Sequence, residues 1–169
     1  IYWYNSAADT QMNYSGYISL FSNNEPLIDK RILDFVKYAK ENLPNAIHAM
    51  YTNGILLDEE KYQKLVQYLD YLVIDNYNDD LLLLPNIQKI VDEHKNDKIC
   101  CKISVLVRKK NQILLNRGGS APNRENKNIF HSSCTLPFMQ LIVRPDGKVS
   151  RCCQDAFGKT TYIQLSDQN

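Results

Sequence analysis

Three of the chain's five cysteines fall in one short stretch, CTLPFMQLIVRPDGKVSRCCQD, running from Cys134 to Asp155. Twelve residues separate Cys134 from Gly147, and four more separate Gly147 from Cys152. The Asp146-Gly147 turn between alternating apolar segments predicts a β-hairpin that brings Cys134 and Cys152 together. Two thiolates on a tight backbone frame can capture a soft or borderline metal, and the turn glycine lets the strands reverse closely. A closed site usually takes four ligands; Cys134, Cys152 and at most Cys153 supply three, so a fourth has to come from outside this sequence or from a group other than cysteine. Strand alternation sends the adjacent Cys152 and Cys153 to opposite faces, which argues against their sharing one ion. The plain alternative is a buried thiol with no ligand, and that is the better reading of Cys100 and Cys101. Of the three histidines, only His131, three residues before Cys134, is placed to join a metal set. His94, near a predicted helix end, reads as solvated.

A second set of polar residues gains meaning only from the elements that carry it. Strand-like runs at 17–22, 46–52, 71–77 and 99–107 alternate with helical patterns at 27–43, from Asp58 onward, and at 85–94. Pro26 suits a first helical turn, Pro44 a stop, and Asp58 an N-cap. The recurrence, roughly 27 residues, is that of a βα unit, and such units in succession give a parallel sheet. The predicted class is α/β, an incomplete parallel (β/α) barrel followed by a small β-hairpin. Ligands in such sheets sit at the carboxyl ends of the strands. Those ends carry Asn23, Asn24 and Glu25, then Thr52, Asn53 and Gly54, then Asp75 and Asn76, and finally Arg108. A carboxylate to take an ammonium, a guanidinium to take a carboxylate and amides for hydroxyls would suit a zwitterionic, hydroxyl-bearing ligand. The competing reading is that loops are polar in any case and Asn-Gly is a turn.

Charge is nearly balanced, 20 Lys+Arg against 19 Asp+Glu, which argues against a general affinity for nucleic acid or anionic membrane. No apolar run nears the roughly 20 residues of a membrane span. An odd cysteine count with two adjacent pairs does not read as a secreted disulfide framework, so a reducing cytoplasm is expected. Residues 1–117 are assigned to the βα region, 118–133 to a Gly- and Asn-rich linker, and 134–169 to the hairpin segment. Because Ile1 is not an initiator, the chain is expected to be a piece of a larger protein.

The motifs carry a resemblance. GYISLFSNNEPLIDKRILDFVKYAKENLPNAIHAMYTNGILL resembles the second and third βα units of the radical S-adenosylmethionine (radical SAM) enzymes, with a Gly-Gly-Glu-Pro-like and a Thr-Asn-Gly motif closing two strands. The Cys134–Lys159 stretch is similar to the start of the SPASM extension of that family, Cys-x(9–15)-Gly-x(4)-Cys. The resemblance implies a partial barrel that binds S-adenosylmethionine and a [4Fe-4S] cluster. It implies reductive cleavage to a 5′-deoxyadenosyl radical, which removes hydrogen from a peptide, protein or small-molecule substrate. By position, Asn23, Asn24 and Glu25 would hold the methionine amino group, and Asp75, Asn76 and Arg108 the ribose and carboxylate. Cys134 and Cys152, with Cys153 beside them, would ligate an auxiliary cluster, and an electron donor such as flavodoxin or ferredoxin would be the partner. Asn23-Asn24 replaces the glycine pair, and no cysteine precedes Cys100, so the radical-generating Cys-x(3)-Cys-x(2)-Cys motif is missing from this chain. The reading is therefore a catalytically incomplete fragment. The alternatives are a non-catalytic α/β binding module with a zinc-type cysteine hairpin, or a metal-free structural piece.

Overall fold

A computed structural model describes residues 13–21, 24–112, 133–155 and 157–164. They divide into two compact units on either side of the Gln112–Ile113 bond.

The first unit is a four-stranded parallel sheet in the order β1-β2-β3-β4. Its strands are β1 (Tyr17–Ser19), β2 (Ile47–Thr52), β3 (Tyr71–Tyr77) and β4 (Lys102–Arg108). Between them run α1 (Ile32–Asn42), α2 (Glu59–Val66) and α3 (Pro85–Glu93), one helix per crossover. Consecutive strands are therefore neighbours, the commonest outcome for short connections. Register follows from alternation: β3 buries Leu72, Ile74 and Asn76 and leaves Tyr71, Val73, Asp75 and Tyr77 half-covered. Leu72 and Ile74 pack with Val36 of α1, Leu65 of α2 and Ile87 of α3 into a single apolar cluster, so one face of the sheet is the core. The opposite face carries exposed aromatics, among them Tyr17 and Tyr51.

Helix ends follow local chemistry. The Asp58 carboxylate caps α2 by accepting from Lys61 N at 2.8 Å, as its type predicts. The helix expected from residue 27 starts later. Pro26–Ile28 form a separate 3-10 turn, and α1 begins at Ile32. The reason is Asp29, whose carboxylate accepts from Arg31 N at 2.9 Å and gives the backbone a bend in place of a helical turn.

The second unit is a three-stranded antiparallel sheet, β5 (Ile142–Val143), β6 (Lys148–Ser150) and β7 (Thr161–Gln164). The turn between β5 and β6 needs its glycine: Gly147 has φ +77°, and its N–H donates to Arg144 O at 2.9 Å. The following loop is organised by Asp155, a buried carboxylate that accepts from Lys159 N (2.9 Å), Thr160 N (2.6 Å) and the Thr160 hydroxyl (2.7 Å). Burial pushes the Asp155 carboxyl up, but those donors and the nearby Arg144 charge outweigh it and bring the value down to about 2. β6 ends at Ser150, so Cys152 and Cys153 lie in this loop and not on a strand. The expectation that strand alternation separates them is corrected accordingly.

Candidate binding site at the strand ends

The carboxyl ends of β1 to β4 meet along one rim, and two arrangements of polar groups occupy it. The first centres on Glu25. Its carboxylate accepts from Leu27 N (3.0 Å) and the Thr52 hydroxyl (2.6 Å) through Oε1, and from Asn53 N (2.7 Å) through Oε2. Glu25 thus ties the segment after β1 to the end of β2. Thr52 Oγ1 in turn accepts from Gly54 N at 3.1 Å. Asn53 Oδ1 accepts from Ile55 N at 2.9 Å, an Asx turn that fixes the exit from β2. Gly54 has φ +74°, and a Cβ there would stand 2.5 Å from Ile87 Cδ1 and 2.8 Å from Ile74 Cγ2. From α3, Asn86 Nδ2 donates to Gly54 O (2.8 Å) and Leu57 O (2.7 Å) and locks the loop in place.

The second arrangement is the Asp75–Arg108 pair, with Nε donating to Oδ1 at 2.8 Å. Both lie on the face that none of the described helices covers, with side chains 21% and 26% exposed, open enough to meet a ligand. The Asp75 carboxylate stabilises the guanidinium charge and raises the Arg108 pKa further. Close to this rim, Phe21 and Tyr51 pair with ring centroids 5.0 Å apart. Tyr17 and Tyr71 stack farther back on β1 and β3, with Lys102 placed 5.4 Å over the Tyr71 ring. An ion pair beside aromatic faces can take a charged, zwitterionic head group and a flat or ring-shaped body.

The structure therefore brings together Glu25 with Asn53, and Asp75 with Arg108. Asn76 stands apart from them. Its side chain is fully buried on the helix side, where Nδ2 donates to Leu82 O (3.0 Å) and Oδ1 accepts from Leu84 N (2.8 Å). It organises the loop into α3. Asn24 is exposed in a bend, and Asn23 lies outside the described residues. The Phe21–Tyr51 ring pair near the rim was not among the expected features. The parity of β2, in which Ile47 and Tyr51 fall on the face opposite Met50 and Thr52, was the available signal for Tyr51.

The cysteines divide as well. Cys101, just before β4, is the buried thiol expected there, and burial pushes its pKa up to about 11. Its neighbour Cys100 is exposed, contrary to expectation. In the second unit Cys134 is exposed, and Cys152 and Cys153 are half-buried. Among the described residues no group of three or more convergent Cys, His, Asp or Glu ligand atoms includes any of them. His131 lies outside the described residues. No helix among the described residues is long and apolar enough to cross a membrane.

Comparison with known proteins then bears on this rim. No family model matches the chain. It is similar to a dehydrogenase. The curated protein is the S-adenosyl-L-methionine-dependent 2-deoxy-scyllo-inosamine dehydrogenase of Niallia circulans, 24% identical over 161 residues, covering 95% of this chain and 62% of that protein. Among solved structures, BtrN in complex with AdoMet and 2-DOIA superposes with a TM-score of 0.73 at 25% identity, over 92% of this chain and 60% of that one. An open conformation of BtrN matches with a TM-score of 0.60 at 22% identity, over 90% of this chain and 55% of its own. The chain thus spans about three-fifths of the length of the proteins it matches.

These findings correct the family assignment made from the motifs. No model of a radical SAM family or of a SPASM extension matches, and the likeness runs to an S-adenosylmethionine-dependent dehydrogenase across 95% of the chain. Short motifs misled for a physical reason. Glu25, Thr52, Asn53 and Gly54 have their contacts inside the fold, where they brace a loop between neighbouring strands. Such residues report a βα architecture and do not by themselves define a family. What holds is the coarser class, an α/β parallel sheet with helices.

Proposed function

We propose that this chain binds S-adenosylmethionine along the β1–β4 rim and forms part of a dehydrogenase that oxidises a hydroxyl-bearing small molecule with it. The observation that carries the reading is the Asp75–Arg108 pair on the uncovered face at the strand ends. Its support is the similarity of sequence and fold to a dehydrogenase that depends on this cofactor. The donor set fits the group. Asp75 offers a carboxylate to an ammonium. Arg108 uses Nε for Asp75, and its terminal nitrogens provide further N–H donors for a carboxylate. Phe21 and Tyr51 offer aromatic faces to a purine. Glu25 is a positioning residue in this scheme, holding Thr52 and Asn53 at the rim.

When bound, S-adenosylmethionine supplies the chemistry that removes hydrogen from the substrate carbon. The chain's residues bind and orient it on a rigid strand frame, where small misplacement would cost rate. A one-electron donor of the flavodoxin or ferredoxin kind is the partner such chemistry needs. Cys134, Cys152 and Cys153 would be the residues to hold an iron–sulfur group, whose ligands are cysteine thiolates and whose chemistry would be one-electron transfer.

Equilibrium dialysis of S-adenosylmethionine against the purified protein tests the proposal. Saturable binding that S-adenosylhomocysteine displaces is the expected result. Absence of saturable binding by the anaerobically prepared protein would remove the basis for the reading. Turnover of a polyol or aminocyclitol panel, set against a peptide panel, then decides the substrate class.

A further inference from the structure

Away from the rim, His94 is held in a way its place at a helix end did not suggest. It caps α3, its side chain is only 14% exposed, and each ring nitrogen meets a different carboxylate. Nε2 lies 2.6 Å from Glu59 Oε1, at the first residue of α2, and Nδ1 lies 2.6 Å from Asp97 Oδ2, in the turn leading to β4. A neutral imidazole has one N–H and one lone pair, so it can donate to only one of two carboxylates. With both carboxylates ionised, two short contacts of this kind need both nitrogens as donors, which makes the ring a cation. The same requirement leaves no lone pair on His94 for a metal, although Glu93 also approaches it.

The ring is also part of a wall. It packs on Tyr62 with centroids 4.6 Å apart, and the two line a cavity of about 210 Å³ with Ile74, Ile90, Ile103 and Val105. Glu59 Oε1 is shared with Gln63 Nε2 at 2.7 Å, while Oε2 is buried with no hydrogen-bond partner.

We propose that His94 is a proton-operated latch between α2 and the exit of α3: charged, it holds Glu59 and Asp97 together, and neutral, it lets one go and loosens the wall of the apolar cavity. The groups facing it are Glu59 and Tyr62 from α2, Glu93 and Lys95 flanking it in sequence, Asp97 from the turn, and Cys101 behind Tyr62. Tyr62, pushed up to about 12 by burial, and Cys101, at about 11, stay neutral while His94 titrates. The hydrogen bond to Asp97, opposed by burial and joined by that to Glu59, raises the His94 pKa above 6.5. With a raised folded-state value, the latch is complete below 6.5 and is lost as pH rises through the folded value.

Nitrogen-15 NMR of the histidine rings in the full chain reads this directly. Both His94 nitrogens should carry protons at pH 6.5, with a midpoint above the ordinary value. Asp97→Asn and Glu59→Gln should each move that midpoint down. In urea titrations, raising pH through the midpoint should lower the wild-type unfolding midpoint and leave that of His94→Gln level by comparison. A His94 midpoint at or below 6.5, or one that neither carboxylate variant shifts, overturns the proposal. Asp97 lies in an exposed turn, so its variant remains informative if Glu59→Gln fails to fold.

Discussion

The two faces of the four-stranded sheet use polar side chains in opposite ways. On the helix face, His48, Thr52 and Asn76 are buried, and each is engaged by the protein's own groups. His48 Nε2 meets Leu43 O at 2.9 Å, and its backbone N–H donates to Asp70 Oδ2 at 2.8 Å. On the other face, Asp75 and Arg108 meet only partly screened from solvent, among exposed tyrosines. A buried polar group has to be satisfied internally, because no water is there to do it. A half-exposed pair at the end of a parallel sheet keeps bonding capacity for something else. The lesson is that parity along a strand, more than residue type, separates a loop organiser from a side chain left partly open to solvent. Asp75 and Asn76 are adjacent and fall on different sides of that division.

The largest effect is expected where the helix face is cut. Asn76→Ala removes the acceptor of Leu84 N and the donor to Leu82 O, and should cost about 3 kcal/mol in urea unfolding. Next is Gly54→Ala. The new Cβ meets Ile87 and Ile74 in a left-handed backbone, and about 2 kcal/mol should be lost, with the loop at the rim displaced in hydrogen-exchange measurements. The second unit offers a comparable case in Asp155, a carboxylate engaged by its own backbone. Its pKa of about 2 lies below the ordinary 3.8, so its contribution is complete above 3.8 and is lost as pH falls through about 2. Asp155→Asn should destabilise by roughly 1.5 kcal/mol at neutral pH and flatten that acid response, read by circular dichroism. The smallest stability change, under about 0.5 kcal/mol, is expected for Asp75→Asn, since a partly exposed pair adds little to folding.

Much of the frame was legible because it rests on local periodicity. Tyr71–Tyr77 reads as a strand from its own apolar run, and Asp58 as a cap from its place before an amphipathic segment. The alternation in YLVIDNY, once Leu72 and Ile74 are set inward, also places Asn76 inward and Asp75 outward, a distinction that treating the strand end as one polar set overlooked. Other features had no local signal. Glu25 bonds to residues 27 and 28 positions away, and a contact across strands is not written near either residue. Cys152 and Cys153 were misplaced because β6 stops at Ser150, where Asp155 draws the following loop onto Thr160. The late start of α1 turns on Asp29, whose competing bond to Arg31 is easily lost beneath a strong helical pattern.

The central claim, that the uncovered face at the strand ends takes S-adenosylmethionine through Asp75 and Arg108, is tested most directly by affinity. Cofactor binding should be measured by equilibrium dialysis for wild type, Asp75→Asn and Arg108→Lys, each checked for an unchanged urea midpoint. The account predicts at least about a tenfold loss of affinity in both variants, the scale of one charge-assisted contact. Wild-type affinity in two folded variants would contradict it.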